Sequence, residues 1–176
     1  MATSVEGSIA RSESHPTLPE PRVSIGLPVY DGEDFIAEQI ESLLKQSFGD
    51  FELIIADNAS TDRTQQICLG YSAQDPRIRY IRNATNVGPV ANHNLLIDSA
   101  RGGYFKFAAH DDIHERDFLA RCIEVLDSDA SVVLAYPQRV RFGGDEETHY
   151  LAFGADVSST KATVRFRNML KHPWSS

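Results

Sequence analysis

The chain has 176 residues, 41% of them hydrophobic and 24% charged, which is the composition of a soluble globular protein with one sizeable core. Acidic residues outnumber basic ones 25 to 17, for a formal charge of -8, and this argues against a nucleic-acid backbone or an anionic membrane as the main partner. A nucleotide held through a metal ion is compatible with that charge, because the ion brings its own.

The opening stretch MATSVEGSIARSESHPTLPEP lacks the apolar segment of a signal peptide and reads as a disordered leader over 1–21, with the fold expected to begin near Arg22. RVSIGLPVY predicts a strand that ends at Pro28 and the Asp31-Gly32 turn. In EDFIAEQIESLLKQS, Ile36, Ile40, Leu43 and Leu44 fall at helical spacing, so one face packs on a sheet. FELIIAD is a continuous apolar run, as in a strand covered on both faces. STDRTQQICLGYSAQ predicts a helix capped by Ser60 or Thr61, and RIRYIRN a third strand. After NVGP a helix is expected through VANHNLLIDSA to the Gly102-Gly103 stop. YFKFAAH is the fourth strand, RDFLARCIEVLDS the next helix and SVVLAYP a further strand. Beyond Gln138 the rhythm changes to a hairpin around Gly143-Gly144 and a weak helix over 162–171. The ending KHPWSS reads as an interruption, with Trp174 expected to pack on further sequence or at a homodimer interface.

Strands alternating with helices over short connections predict an α/β fold with a mainly parallel, doubly wound, Rossmann-like sheet. Cys68 and Cys122 both fall in predicted helices and read as buried free thiols. No run approaches the ~18 apolar residues of a membrane span, and with no targeting signal the expected location is cytoplasmic.

In such a sheet ligands bind beyond the carboxyl ends of the strands. Four polar groups are predicted there: Tyr30, Asp57, Asn83 to Asn86, and Asp111-Asp112. Two of them have a plainer reading. Asp57 could cap a helix, and His110-Asp111-Asp112 could be a turn with one capping carboxylate. Adjacent carboxylates at the end of an apolar strand repel each other, however, and a hard cation such as Mg2+ or Mn2+ removes that repulsion. With so few carboxylates, substrate phosphates would complete the coordination. His110 and His114 leave an imidazole-bearing transition-metal site as a further option. No G-x-G-x-x-G or G-x-x-x-x-G-K-[ST] loop follows any strand, which disfavours dinucleotide oxidoreductases and P-loop enzymes. A receiver-type domain would need an acidic pair after the first strand, where PVYDG stands instead.

Two stretches, VSIGLPVYDGEDFIAEQIESLLKQSFGDFELIIADNASTDRT and NVGPVANHNLLIDSARGGYFKFAAHDD, resemble glycosyltransferase family 2, the inverting enzymes of GT-A fold, over Arg22 to Pro137. The resemblance implies a donor-binding core over 22–137 and an incomplete acceptor-side region over 138–176. It implies that Pro28, Val29 and Tyr30 line the base pocket with Glu33 close by, and that Asp57 hydrogen-bonds the base beside a wall shaped through Asp62. Asn86 and Gly88 match the family's Asn-x-Gly, and Asn94 the Asn that ends its Ala-Arg-Asn. Asp111 would contact the ribose or sugar. Asp112, in a DXD-like motif, would hold Mn2+ or Mg2+ against the diphosphate, with Asp111 beside it. The implied donor is a nucleotide sugar, a UDP-sugar first, with guanine and thymine as other bases. The implied acceptor is a saccharide, lipid or protein, in cell-wall or polysaccharide biosynthesis, with peripheral membrane association as in many relatives.

The chain departs from the family pattern in three places. Asp31 stands where Asn is usual and His93 where Arg is frequent. No catalytic-base motif is evident after Pro137; Asp145, Glu146 and Glu147 read as a solvated turn, and Asp156 has no supporting context. That gap keeps open a non-catalytic nucleotide-binding or interaction module. A nucleotidyltransferase is less compatible, because PVYDGEDF is acidic where that class has a Gly-rich, basic loop.

Overall fold

The computed structural model describes residues 20–135 and, as backbone, two short strands at Arg139–Arg141 and Thr148–Tyr150. In chain order the elements are β1 (Val23–Val29), α1 (Ile36–Leu44), β2 (Phe51–Asp57), α2 (Thr64–Ser72), β3 (Ile78–Arg82), α3 (Pro89–Ser99), β4 (Tyr104–Phe107) and α4 (Phe118–Ser128). The two short strands, β5 and β6, pair antiparallel, and the turn expected around Gly143-Gly144 lies outside the described residues.

The first four strands form one parallel sheet in the order β3-β2-β1-β4. Every residue of β2 is buried, as its unbroken apolar run requires of a central strand. Alternation along β2 supplies both faces of the sheet. Leu53 and Ile55 join Ile25, Leu27, Ile36, Ile40 and Leu43 in the larger cluster, while Ile54 and Ala56 meet Leu96 of α3 on the other face. α3 reaches that face because β1 carries Gly26 there. A Cβ on Gly26 would stand 3.1 Å from Leu96 Cβ and 2.8 Å from Phe105 Cζ, so any larger residue would push α3 away.

The order reverses at β1: β2 and β3 build outward on one side of it, and β4 returns to the other. That reversal opens a crevice between the carboxyl ends of β1 and β4, the place where open α/β sheets bind ligands.

Three expectations are corrected. α2 begins at Thr64 rather than next to Ser60 or Thr61, and the Asp62 carboxylate accepts from Thr64 N at 2.9 Å. Ser60 and Thr61 are drawn off by the neighbouring loop: Ser60 Oγ accepts from Asp31 N, and Thr61 N donates to Asp31 Oδ1. Residues 131–135 form no strand, and Val133 and Leu134 stay exposed without a ladder partner among the described residues. Cys68 is a buried free thiol, pushed up to about 12 chiefly by burial, whereas free Cys122 is only half-buried. The weak helix expected over 162–171 lies outside the described residues. No described helix is long and apolar enough to cross a membrane.

Candidate functional site

Two loops at the carboxyl edge are laced together by their own polar groups. After β1 the chain turns at Asp31, whose φ of 48° is left-handed, and its carboxylate accepts from Thr61 N at 2.7 Å. Gly32 N donates to Thr64 Oγ1, Glu33 N to Asp62 Oδ2, and Arg63 N back to Glu33 Oε2, at 2.9, 3.0 and 2.8 Å. Glu33 and Asp62 therefore serve the join between the β1–α1 and β2–α2 loops.

Asp57 ends β2 fully buried. Its Oδ1 accepts from Ser60 N at 2.8 Å, while Oδ2 accepts from Tyr80 Oη at 2.6 Å and from the Arg82 guanidinium. Burial alone would raise this carboxyl, but the hydrogen bonds from Ser60, Tyr80 and Arg82 outweigh it and hold it below the ordinary aspartate value. Asp57 is thus a charged carboxylate fixed from three sides.

Beyond it, Asn58, Asn83, Asn86 and Asn92 bind one another through their side-chain amides, joining the ends of β2 and β3 to the start of α3. Gly88 precedes α3 with φ of 83°, a turn that favours glycine, and its N–H donates to Asn86 Oδ1 at 2.9 Å.

The crevice holds a cavity of about 500 Å³. Pro28, Val29 and Tyr30 form one wall, Asn58, Asn86, Pro89, Asn92 and His93 a second, and Phe107 to Asp111 the third. Of the residues singled out in the sequence, Pro28, Val29, Tyr30, Asn86 and Asp111 therefore come together there. Asp57 is fully buried outside the cavity lining, and Gly88, also outside it, precedes the α3 residues of the second wall. Asp112 follows the third wall, half-buried, and neither it nor Asp111 has a hydrogen-bonding or ion-pair partner among the described residues. Glu33 is committed to the loop join, and Asn94 is exposed on α3 outside the cavity lining.

The wall residue on α3 that composition alone does not single out is Asn92, buried and donating to Ala56 O at 2.8 Å. The signal was spacing, since Asn92 and Leu96 stand four apart and form the buried face of α3. His93 and Phe107 meet at 5.1 Å between ring centroids across the second and third walls. His110 lines the cavity, but His114 turns away: Lys106 Nζ sits 2.7 Å from its Nε2 and Gln39 Nε2 3.4 Å from its Nδ1. Burial and Lys106 lower its pKa to about 4. The two histidines thus do not offer a shared imidazole site. A second hollow, of about 630 Å³, lies between α1 and the 113–116 segment. It contains none of the strand-end residues, so the crevice cavity is the better candidate on topology.

The sequence pattern described as glycosyl transferase family 2 matches residues 24–173. The chain belongs to that family. It is 42% identical over 92 residues to the uncharacterized glycosyltransferase EpsJ of Bacillus subtilis, covering 52% of this chain and 26% of that protein. It is 30% identical over 113 residues to the glycosyltransferase GlyG of Streptococcus pneumoniae, covering 64% and 38% respectively. Among solved structures it is similar to S. aureus TarS 1-349 in complex with UDP-GlcNAc, with 30% identity and a TM-score of 0.58 over 61% of this chain and 31% of that one. The chain thus spans well under half the length of these relatives, and the sheet described above is of the GT-A type.

Proposed function

We propose that this chain carries the donor site of an inverting, metal-assisted transfer of a sugar from a nucleoside diphosphate to an acceptor hydroxyl, with a UDP-sugar as donor. The observation that carries the reading is the cavity itself. Three segments far apart in sequence meet at the point where strand order reverses; Asp111 stands in the third wall and Asp112 directly follows it, both without partners among the described residues. The likeness to TarS, which was solved with UDP-GlcNAc, supports a uridine nucleotide.

Each wall has work to do in that reading. Tyr30, 46% exposed after β1, offers its ring to the base, and Asp57 supports the base side from behind as a fixed charge. Asp111 and Asp112 fit a hard cation, because a pair of carboxylates suits an ion that shares its coordination with a diphosphate. A Mn2+ or Mg2+ ion bound there would offset the charge that builds on the departing diphosphate. Inversion also needs a carboxylate across the sugar to take the acceptor proton. Asp145, Glu146, Glu147 and Asp156 lie outside the described residues, as does the acceptor-side region proposed over 138–176 apart from the β5–β6 strand pair. A saccharide, lipid or protein acceptor, cytoplasmic residence and association with a membrane surface or a second copy belong to the same proposal.

The test is calorimetric titration of UDP with and without Mn2+, on the natural chain and on Asp112→Asn. In the natural chain Mn2+ should tighten binding by about tenfold or more, or 1.4 kcal/mol. The variant should lose that gain while its melting temperature stays unchanged. An equal metal effect in both proteins would overturn the assignment of Asp112, and no binding of UDP by the natural chain would overturn the reading.

A further inference from the structure

The amide groups on the second wall have fixed orientations, because main-chain groups anchor them. A side-chain amide presents an oxygen that accepts and an NH2 that donates, and its neighbours decide which way it faces. Val87 N–H donates to Asn58 at 2.9 Å, so the Asn58 oxygen lies there and its NH2 faces Asn86, donating to Oδ1 at 2.8 Å. Gly88 N–H donates to the same Asn86 oxygen at 2.9 Å. At the other end, Ala56 O accepts from Asn92 Nδ2 at 2.8 Å, which turns the Asn92 oxygen toward Asn83 Nδ2 at 2.9 Å. Asn83 Nδ2 also donates to Asn58 Oδ1 at 3.1 Å. Turning any one of these amides over would set donor against donor or acceptor against acceptor.

The consequence falls on Asn86, which is exposed and lines the cavity. Its oxygen already serves two donors, and its NH2 has no partner among the described residues. We propose that Asn58 is a positioning residue which holds Asn86 with its NH2 toward the cavity, so that Asn86 selects bases bearing a keto oxygen on the edge that meets it and rejects bases bearing an amino group there. This inference rests on the donor-site reading above and adds the means of base selection to it. Uracil presents a keto oxygen where cytosine presents an amine, and an amine against the Asn86 NH2 leaves two donors facing each other. A polar group left unmatched in this way is discriminated against strongly.

The experiment is titration of UDP and of CDP, both in Mn2+, against the natural chain, Asn86→Asp and Asn58→Asp. The natural chain should bind UDP more tightly than CDP by about tenfold or more. Asn86→Asp keeps an acceptor for both Asn58 Nδ2 and Gly88 N and replaces only the cavity-facing NH2 with an oxygen. Its UDP/CDP affinity ratio should fall to one or below. The ratio is the readout because an added negative charge weakens both diphosphates alike. Asn58→Asp keeps the acceptor for Val87 N–H but sets an oxygen against Asn86 Oδ1, and it should narrow the ratio even if Asn86→Asp binds neither nucleotide. A ratio near one in the natural chain, or an unchanged ratio in the variants that bind, would overturn the proposal while leaving the donor site standing. Binding of neither nucleotide by the natural chain would overturn both.

Discussion

At the scale of single residues, Asp57 shows how a buried charge is kept in place. Three groups from β3 and the β2–α2 loop converge on it: Tyr80, Arg82 and the Ser60 N–H. Burial, and after it the hydrogen bond to the Asp57 carboxylate, raise the Tyr80 phenol against the opposing pull of Arg82 and hold it in its neutral form. Removing the cation from a buried carboxylate leaves a charge without compensation, and this costs more than an exposed ion pair ever contributes. Arg82 is 30% exposed, so water partly replaces it. Arg82→Ala should therefore lower stability at pH 7 by roughly 2–3 kcal/mol, read from chemical denaturation. A loss under about 0.5 kcal/mol, the range of ordinary surface changes, would show that Ser60 and Tyr80 suffice. The position of Asp57 was legible from FELIIAD, since an Asp ending an apolar run must end the strand. Its partners were not, because Tyr80 and Arg82 lie 23 and 25 residues away and only strand register brings them near.

At the scale of elements, a second buried carboxylate ties the opposite edge of the sheet. Glu52, near the start of β2, accepts from Ser24 of β1 at 2.7 Å, from Arg79 of β3 at 2.9 Å and from Arg101 in the α3–β4 connection at 2.7 Å. Gly102 completes the join: its N–H donates to Ser24 Oγ at 2.8 Å, and a Cβ there would stand 2.5 Å from Ser24 N. Burial alone would raise the Glu52 carboxyl, but Arg101, Ser24 and Arg79 bring it down to about 2, against 4.5 for the ordinary side chain. A depressed folded-state value means that the native state holds this group deprotonated more firmly than the unfolded chain does. The resulting stability is fully present above pH 4.5 and is lost as the pH falls toward 2. The natural chain should show a falling denaturation midpoint across that window, and Glu52→Gln a flatter profile from a lower start. Parallel profiles would mean that the cluster does not titrate with folding.

Elements were read from the sequence unevenly, for reasons of the same kind. The four sheet strands and four helices were legible, β2 from its continuous apolar run and α1 from helical spacing of Ile36, Ile40, Leu43 and Leu44, because burial leaves its mark on apolar residues. Capping was misplaced at α2, because Ser60 and Thr61 had a competing use in the neighbouring loop, and spacing along one segment carries no trace of that. The apolar run over 131–135 has the composition of a strand, yet composition does not supply a partner to pair with.

At the scale of the whole molecule, the site exists because strand order reverses between β1 and β4. Alternating strands and helices announce a parallel sheet, but not which strands become neighbours. The sequence could therefore name Tyr30 and Asp111 as strand-end residues without showing that they face the same cavity. Resemblance to the family connected them, and the β3-β2-β1-β4 order gives the physical cause. It also separates Asn92 from Asn94: both are polar residues on α3, but only Asn92 points back to the sheet and lines the cavity.

The most direct test of the account is to follow backbone amide shifts by NMR as UDP and Mn2+ are added to a labelled chain. The account predicts that the changes concentrate in 28–32, 86–93 and 107–112, the three walls of the crevice and the carboxylates beside it. Changes centred instead on Glu38 to Lys45 and Ile113 to Arg116 would place the ligand in the hollow beside α1 and contradict the assignment of the donor site to the strand-order reversal.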